Sequence, residues 1–476
     1  MKGIELTVTI IYLLACIGIG LWAMRRFRST GDDYWVAGRR VGTFMNSWAI
    51  MAALASGGSV LGVCGLGYKL GIPYAFSMFA GAVMGFPMAS ILVARQLRNL
   101  GKYTITDLLV TRYDHKVVKW ATPIIVLLAM GAYIVAQMKA AGVTAQFLLG
   151  IPYKYSVMLT ALVFIIYVSI GGMWAVTMTD IVQGILVFFM MSVVGIVAIS
   201  HFGGVGSLVA QAAQANPAVG TLAALPLSSY IGAFVVWAAA VPVIPHIVMR
   251  IYTSKDVRSA RFSLNYAMLL YAFMIFFGVI GVSAAAQILF PGLKDADMAY
   301  LMMTTKYLPR IFAGLAVAAV MAAVMSTTDA LLLSCSSAFA YDIYAKLLKP
   351  NVSEREVIKV GTVAAWVIGL LAMFFAFNPP KLLTMMYTAA VGLIVSAFFA
   401  PTVMGLWWKR ATNAGGVAGI LIGAILYLYL LWFTKMPSLS HVLVSLPVSF
   451  AAVIIGSLVT PPPSDEVVEQ VAAWHK

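Results

Sequence analysis

The chain has 476 residues, of which 62% are hydrophobic and only 10% charged, with a mean hydropathy of +0.96. Disorder needs low hydrophobicity and high charge, and a soluble enzyme carries nearer a quarter of charged residues, so both classes are excluded. What remains is a polytopic α-helical membrane protein, whose formal net charge of +15 is read by position and not as a nucleic-acid footprint.

A helix that crosses the hydrocarbon core needs roughly 20 apolar residues. Thirteen stretches meet that length, at about 4–24, 43–69, 73–94, 118–147, 153–170, 174–200, 228–249, 262–290, 309–343, 357–377, 382–407, 414–434 and 440–460. The first is too firmly flanked for a cleaved signal peptide and lacks a small-residue cleavage site after it, so it is expected as a retained helix. Basic residues set the orientation. With the N-terminus outside and thirteen crossings, 22 of the 31 Lys and Arg fall on the inner side, among them Arg25, Arg26, Arg28, Arg39, Arg95, Arg98, Arg250, Lys346 and Lys409. Eight, including Lys69, Lys294 and Lys381, fall outside, and the loop 201–226, which has no Lys or Arg, falls outside with them. That is the positive-inside pattern of an inner (plasma) membrane protein with a cytoplasmic C-terminus. Residues 1–460 read as one transmembrane domain and 461–476 as a short cytoplasmic tail. The polar stretch Gly101–His115 belongs at the inner interface. Cys16, Cys64 and Cys335 lie in apolar stretches and the five His are scattered, a pattern that predicts neither a disulfide framework nor a metal cluster.

Along the chain, several spans carry residues that a plain lipid-facing helix would not. The second contains Ala55-Ser56-Gly57-Gly58-Ser59, then Gly62, Gly65 and Gly67. A glycine weakens a helix by up to about 1 kcal/mol, and unwound backbone at membrane depth survives only where it lines a cavity or is buried in protein. The third begins with Tyr74, Phe76 and Ser77, placed either to shape a pocket or to pack. The fourth carries Gln137 and Lys139. Lys139 is ten residues before Leu149, so about 15 Å of helix separates it from the outer end. An ammonium at that depth needs an acidic partner, a substrate carboxylate or a long reach to the interface, and all three readings stand. The sixth span carries Asp180 beside Thr179 and near Gln183, and the seventh is interrupted by Pro242 and Pro245. The ninth reads Ala323-Val-Met-Ser326-Thr327-Thr-Asp329, with Ala323, Ser326, Thr327 and Ala330 on one helical face. Hydroxyls and carbonyls are hard oxygen ligands that suit Na+, although Ser and Thr in helices also cap their own preceding carbonyls. A carboxylate at mid-membrane costs about 2.5–3.5 kcal/mol, so Asp180 and Asp329 are expected to face a cavity, where they could share a cation or a proton.

The two interrupted spans are five helices apart. Gly- or Pro-broken spans at matching positions in two halves point to an inverted-repeat transporter with its site at the breaks. Five is odd, so the repeats, about 43–200 and 228–407, would insert with opposite topology. A passive channel is the rival of a different class. An embedded enzyme would need a nucleophile–base constellation, which is not found beyond the two acids.

Four stretches then carry a resemblance. Asp33-Tyr34 to Gly38-Arg-Arg-Val-Gly42, Gly171-Gly-Met-Trp-Ala-Val-Thr-Met-Thr-Asp180-Ile-Val-Gln183, Ala323-Val-Met-Ser326-Thr327 with Ser336-Ser337 and Asp342-Ile-Tyr, and Trp408-Lys-Arg410 to Gly416 resemble the sodium:solute symporter family. That group contains sodium–glucose, sodium–proline and acetate transporters. The resemblance implies an all-α, LeuT-type fold of five-plus-five inverted repeats, with one extra N-terminal and two extra C-terminal helices. It implies sodium held by the backbone carbonyls of Ala52, Ala55 and Ala323 and the hydroxyls of Ser326 and Thr327. It also implies a second cation site at Asp180, where Asp329 stands in place of a serine. Leu97-Arg98 to Thr104 and Tyr133-Ile-Val-Ala-Gln137-Met resemble the acetate and monocarboxylate branch; the ion-site helix is more similar to the proline and pantothenate branches.

The expected protein is therefore a non-enzymatic Na+-coupled symporter that imports a small carboxylate-bearing solute through the lipid bilayer by alternating access, with no nucleic-acid partner. Its expected pocket comprises Ser56, Gly57, Ser59, Tyr74, Ser77, Gln137 and Lys139. Proton-coupled uptake of the same class, and sodium symport of a sugar, amino acid or vitamin, are the alternatives.

Overall fold

The computed structural model describes residues 2–24, 30–168, 172–379 and 383–476. Arg25, Arg26, Arg28, Gly171 and Lys381 lie outside the described residues. The described secondary structure is helical apart from an isolated bridge between Val41 and Ser254. Among the described residues, ten helices are long and apolar enough to cross a membrane, and the bent pair Thr43–Leu54 and Gly58–Leu70 makes an eleventh. Two shorter apolar helices, Tyr153–Ile166 and Val442–Leu458, coincide with two more of the expected spans.

The helices are numbered in chain order as α1 (Lys2–Met24), α2 (Thr43–Leu54), α3 (Gly58–Leu70), α4 (Ile72–Leu92), α5 (Lys116–Leu149), α6 (Tyr153–Val168), α7 (Gly172–His201) and α8 (Leu227–Ala240). They continue as α9 (Pro245–Thr253), α10 (Val257–Leu289), α11 (Arg310–Leu348), α12 (Glu354–Phe375), α13 (Met385–Trp407), α14 (Asn413–Phe433), α15 (Val442–Leu458) and α16 (Asp465–Trp474).

Side-chain size decides which helices sit inside. From Ala316 to Ser337 every residue of α11 is buried, so this Ala-rich stretch has no lipid face. Small residues let α5, α7 and the broken span approach it closely. By contrast α12 and α14 turn Val363, Phe374, Phe375, Ile425, Trp432 and Phe433 outward, as helices at a lipid boundary do.

Both expected breaks are present. The first span bends by 59° between α2 and α3. The second leaves α-helical geometry at Ile244 (φ −68°, ψ 125°), and Pro245 opens α9, where its missing N–H is no loss. The far ends of the two broken spans are stitched together: Asn46 Nδ2 donates to the Arg250 carbonyl at 3.0 Å and to Ser254 Oγ at 2.9 Å, and Val41 N donates to the Thr253 carbonyl at 3.1 Å. Two polar stretches carry more order than their composition suggests. Within Gly101–His115, helix Ile105–Arg112 starts on a capping box of Thr104 and Asp107. Within the tail, α16 forms and buries Trp474.

Candidate functional site

The site is built where the first break meets α11. Helix α2 ends at Leu54, and Ala55 (φ −73°, ψ 68°) turns the chain out of the helix. Ser56 and Ser59 close the gap: Ser56 N and Ser59 Oγ donate to the Leu54 carbonyl at 2.8 and 3.1 Å, and Ser59 N donates to Ser56 Oγ at 3.1 Å. These contacts satisfy groups that a broken helix leaves orphaned.

Glycine is required on the far side of the break. A Cβ on Gly57 would stand 2.6 Å from Val324 Cγ2 and 2.7 Å from the Ala140 Cβ, and Gly58 faces the Tyr387 ring just as closely. Overpacking of this kind costs about 1–3 kcal/mol. Gly57→Ala is therefore expected to lower the melting temperature and to suppress transport at saturating sodium. An unchanged melting temperature with full transport would show that the contact between α3 and α11 is not fixed.

The carbonyls at the end of α2 are met by the hydroxyls of α11. Ser326 Oγ lies 3.0 Å from the Ala52 carbonyl and 3.2 Å from the Ala323 carbonyl, with one proton to give to either. Thr327 Oγ1 donates to the Ala53 carbonyl at 3.1 Å. Their neighbours behave differently: Thr328 and Ser334 bond back to Val324 and Ala330 of their own helix. So Ser326 and Thr327 are the pair that turns across to the break: hydrogen bonds join three of the five expected ion-site residues (Ser326 with Ala52 and Ala323), while Thr327 bonds to Ala53. Ala53 enters in addition, and Ala55 is the residue at which the helix opens. The array is all neutral oxygen, at the carbonyl end of a helix whose partial charge is negative, which is chemistry for a weakly held cation.

Beside it, the break presents donors. Gly57 N donates to Gln137 Oε1 at 3.1 Å, and Ser59 Oγ lies 3.3 Å from Tyr271 Oη and 3.4 Å from Ser56 Oγ. Ser56, Gly57, Ser59 and Gln137 are thus brought together as expected from the sequence. Gln137 Nε2 is buried and without a hydrogen-bond partner among the described residues, and so is Trp237 Nε1. Aromatic rings wall the region: Tyr133 stacks on Tyr387 at 5.2 Å, and Tyr387 meets Trp237 at 5.8 Å. Tyr133 was open to sequence reasoning, because it lies one turn from Gln137 on the same face. Tyr271, Tyr387 and Trp237 come from distant spans that carry no local signal.

Three of the expected pocket residues, Tyr74, Ser77 and Lys139, have partners away from the break. Tyr74 and Ser77 are engaged with α8: the Ser77 hydroxyl donates to the Tyr230 carbonyl, and the Tyr74 ring meets Tyr230 edge-on at 5.5 Å. Among the described residues no hydrogen bond joins either to the break. Lys139, buried in α5, has an acidic partner in Asp297, with Nζ 2.8 Å from Oδ2. Asp297 sits on the turn Ala296–Met298 that precedes α11, and Leu383 N also donates to its Oδ2 at 3.3 Å. The same turn packs on α3 at Gly65. The ion pair therefore joins the turn Ala296–Met298 to α5.

The acids form a separate cluster. Arg250, placed among the inner-side topology charges from sequence, is completely buried; its Nη2 pairs with Asp180 Oδ2 and its Nη1 donates to Thr177 Oγ1 at 2.6 Å. A cation thus already stands on the Asp180 carboxylate. Asp329 is completely buried, and neither of its carboxylate oxygens has a hydrogen-bond partner among the described residues.

Comparison with known proteins adds a family and a fold. The family model for the sodium:solute symporter family matches residues 34–423. A solved structure of a Na+-coupled sialic acid symporter, in a substrate-bound outward-open state, is similar with a TM-score of 0.82 at 22% identity, covering 97% of this chain and 98% of that one. Mhp1, a nucleobase-cation-symport-1 family transporter, is similar at TM-score 0.55 and 14% identity, covering 92% of this chain and 97% of its own. A manganese transporter of Eremococcus coleocola is similar at TM-score 0.53 and 13% identity, covering 91% and 95%. At these identities the three structures speak to the fold.

Proposed function

The chain belongs to the sodium:solute symporter family, and from that premise we propose that it imports a small carboxylate-bearing organic solute together with Na+ by alternating access. Sodium is the co-transported ion. The single observation that carries the reading is the pair of hydroxyl contacts from Ser326 and Thr327 to the end of α2. Sodium on the carbonyls of Ala52, Ala55 and Ala323 and those two hydroxyls would tie α2 to α11. An ion that binds only when the two are together favours that conformation by its differential affinity. It would also order Ser56, Gly57 and Ser59, so the solute binds well only after the ion.

The carboxylate preference rests on donors. Gln137 Nε2 and Trp237 Nε1 are buried donors without acceptors among the described residues, and Lys139 lies in the same helix as Gln137. An acceptor-only group such as a carboxylate suits them. In this reading the N-terminus is outside, α6 and α15 also cross the bilayer, and the units 43–200 and 228–407 are inverted repeats. The unpartnered Asp329 supports a second coupled cation, either sodium or a proton.

A thermal-shift screen of small carboxylates on purified protein, with and without sodium, tests the class. Stabilisation by a carboxylate only when sodium is present is the expected result, reaching about 2.7 kcal/mol at a concentration one-hundredfold above Kd. Proteoliposomes should then take up that carboxylate under an inward Na+ gradient. Uptake under a pH gradient in the absence of sodium would replace sodium by protons. A sugar or amino acid that stabilises where no carboxylate does would overturn the solute class.

A further inference from the structure

The end of the chain builds a second polar site, independent of the transport reading. Helix α16 is folded back onto helix Ala94–Leu100: Asn99 Nδ2 donates to the Trp474 carbonyl at 3.0 Å, and Arg95 donates to the His475 carbonyl at 2.9 Å. The His475 ring is held between Gln96 Nε2 at 3.1 Å and the Leu406 carbonyl at 2.8 Å. A carbonyl can only accept, so Nε2 carries the proton and Nδ1 receives the amide. Between α16 and the end of α13 lies a cavity of about 250 Å³.

Two cations face this cavity, Arg112 and Lys409. Arg112 is 4% exposed. Its Nε and Nη2 donate to the carbonyls of Gly405 and Ala411 at 2.6 and 2.7 Å, but its Nη1 is buried with no partner among the described residues. No carboxylate among the described residues forms an ion pair with either Arg112 or Lys409. The acids of α16 (Asp465, Glu466 and Glu469) are exposed. A buried guanidinium left with an unmade hydrogen bond calls for an anion. Apart from His475, whose ring nitrogens are already engaged, the rest of the wall is apolar: Leu406, Trp407, Val468, Val471 and Ala472. Trp407 ends a spanning helix and is half exposed, the position of an interfacial anchor, which sets the cavity at the depth of lipid headgroups.

We propose that this cavity binds the phosphate of an anionic phospholipid. Arg112 Nη1 and the Lys409 ammonium take the phosphate oxygens, and the first carbons of the acyl chains lie against Leu406, Trp407, Val468 and Val471. The bound lipid bridges α16 to the end of α13 and holds the terminal helix down.

The test uses full-length protein in nanodiscs of phosphatidylcholine containing a minor fraction of phosphatidylglycerol, with retained lipid counted by native mass spectrometry. Lys409 is exposed and Val471 lies on the terminal helix, so Lys409→Gln and Val471→Glu leave the transmembrane core intact; equal melting temperatures in pure phosphatidylcholine verify this. The wild type should retain phosphatidylglycerol in preference to phosphatidylcholine. Loss of one basic side chain in Lys409→Gln should weaken that retention about fivefold. Val471→Glu, which sets a carboxylate in the cavity, should weaken it at least as much. Equal retention by wild type and both variants, or no preference between the two lipids, overturns the proposal. A parallel arm adds inorganic phosphate to delipidated protein in detergent. No stabilisation is expected; stabilisation matching that by phosphatidylglycerol would make free phosphate the occupant and overturn the lipid assignment.

Discussion

Ser326→Ala and Thr327→Ala should each raise the sodium concentration for half-maximal uptake by about tenfold, while folded protein is still recovered. Each substitution removes one of a small set of neutral oxygen ligands and strands a carbonyl at the end of α2. A stranded buried acceptor costs about 1–3 kcal/mol, and tenfold in affinity corresponds to about 1.4 kcal/mol. The array contains no charge that would compensate, so the loss falls directly on the ion. Thr328→Ala is the matched control. Its hydroxyl lies one residue further along the same buried helix but caps Val324 of its own turn at 2.6 Å. It should cost similar stability and leave the sodium dependence unchanged. Thr327→Ser, which keeps the hydroxyl, should restore most of the affinity. If Ser326→Ala and Thr328→Ala changed the sodium dependence equally, the cross-helix contacts would be ordinary packing and sodium would sit elsewhere.

The parts of this site that were legible in the sequence are those in which backbone chemistry speaks locally. The glycine run at 57–58 cannot hold a lipid-facing helix, and Pro242 and Pro245 remove donors, so both breaks could be placed without coordinates. The hydroxyl pair at 326–327 was visible because it interrupts an alanine- and valine-rich helix. What could not be read is pairing over distance. Asp297 is an acid in a short turn between spans, 158 positions from Lys139, and nothing local marks it as the partner of a buried lysine. Arg250 sits near the end of a span, where basic residues ordinarily report topology; the proline break lets α9 turn its side chain inward to Asp180. Helix α16 does carry a pattern, with Val467, Val468, Val471 and Trp474 at helical spacing, but it follows three prolines and is only ten residues long, so composition alone reads it as a tail.

The pair Lys139–Asp297 separates stability from recognition. Asp297→Asn leaves a buried ammonium without its counter-charge and is expected to cost about 3–5 kcal/mol. Replacing both partners by apolar residues, Lys139→Met with Asp297→Leu, should recover most of that loss, because no isolated charge remains buried. If the solute carboxylate takes the place of Asp297 on Lys139 during binding, Asp297→Asn frees the lysine from its competitor. A small carboxylate should then stabilise Asp297→Asn by more degrees than it stabilises the wild type, in a sodium-dependent way. The double variant should be stable yet show no carboxylate-dependent shift and no uptake. The opposite pattern is equally plain: a double variant that still transports would make the ion pair a clip between the turn Ala296–Met298 and α5, and would leave solute recognition to Gln137, Trp237 and the backbone of the break.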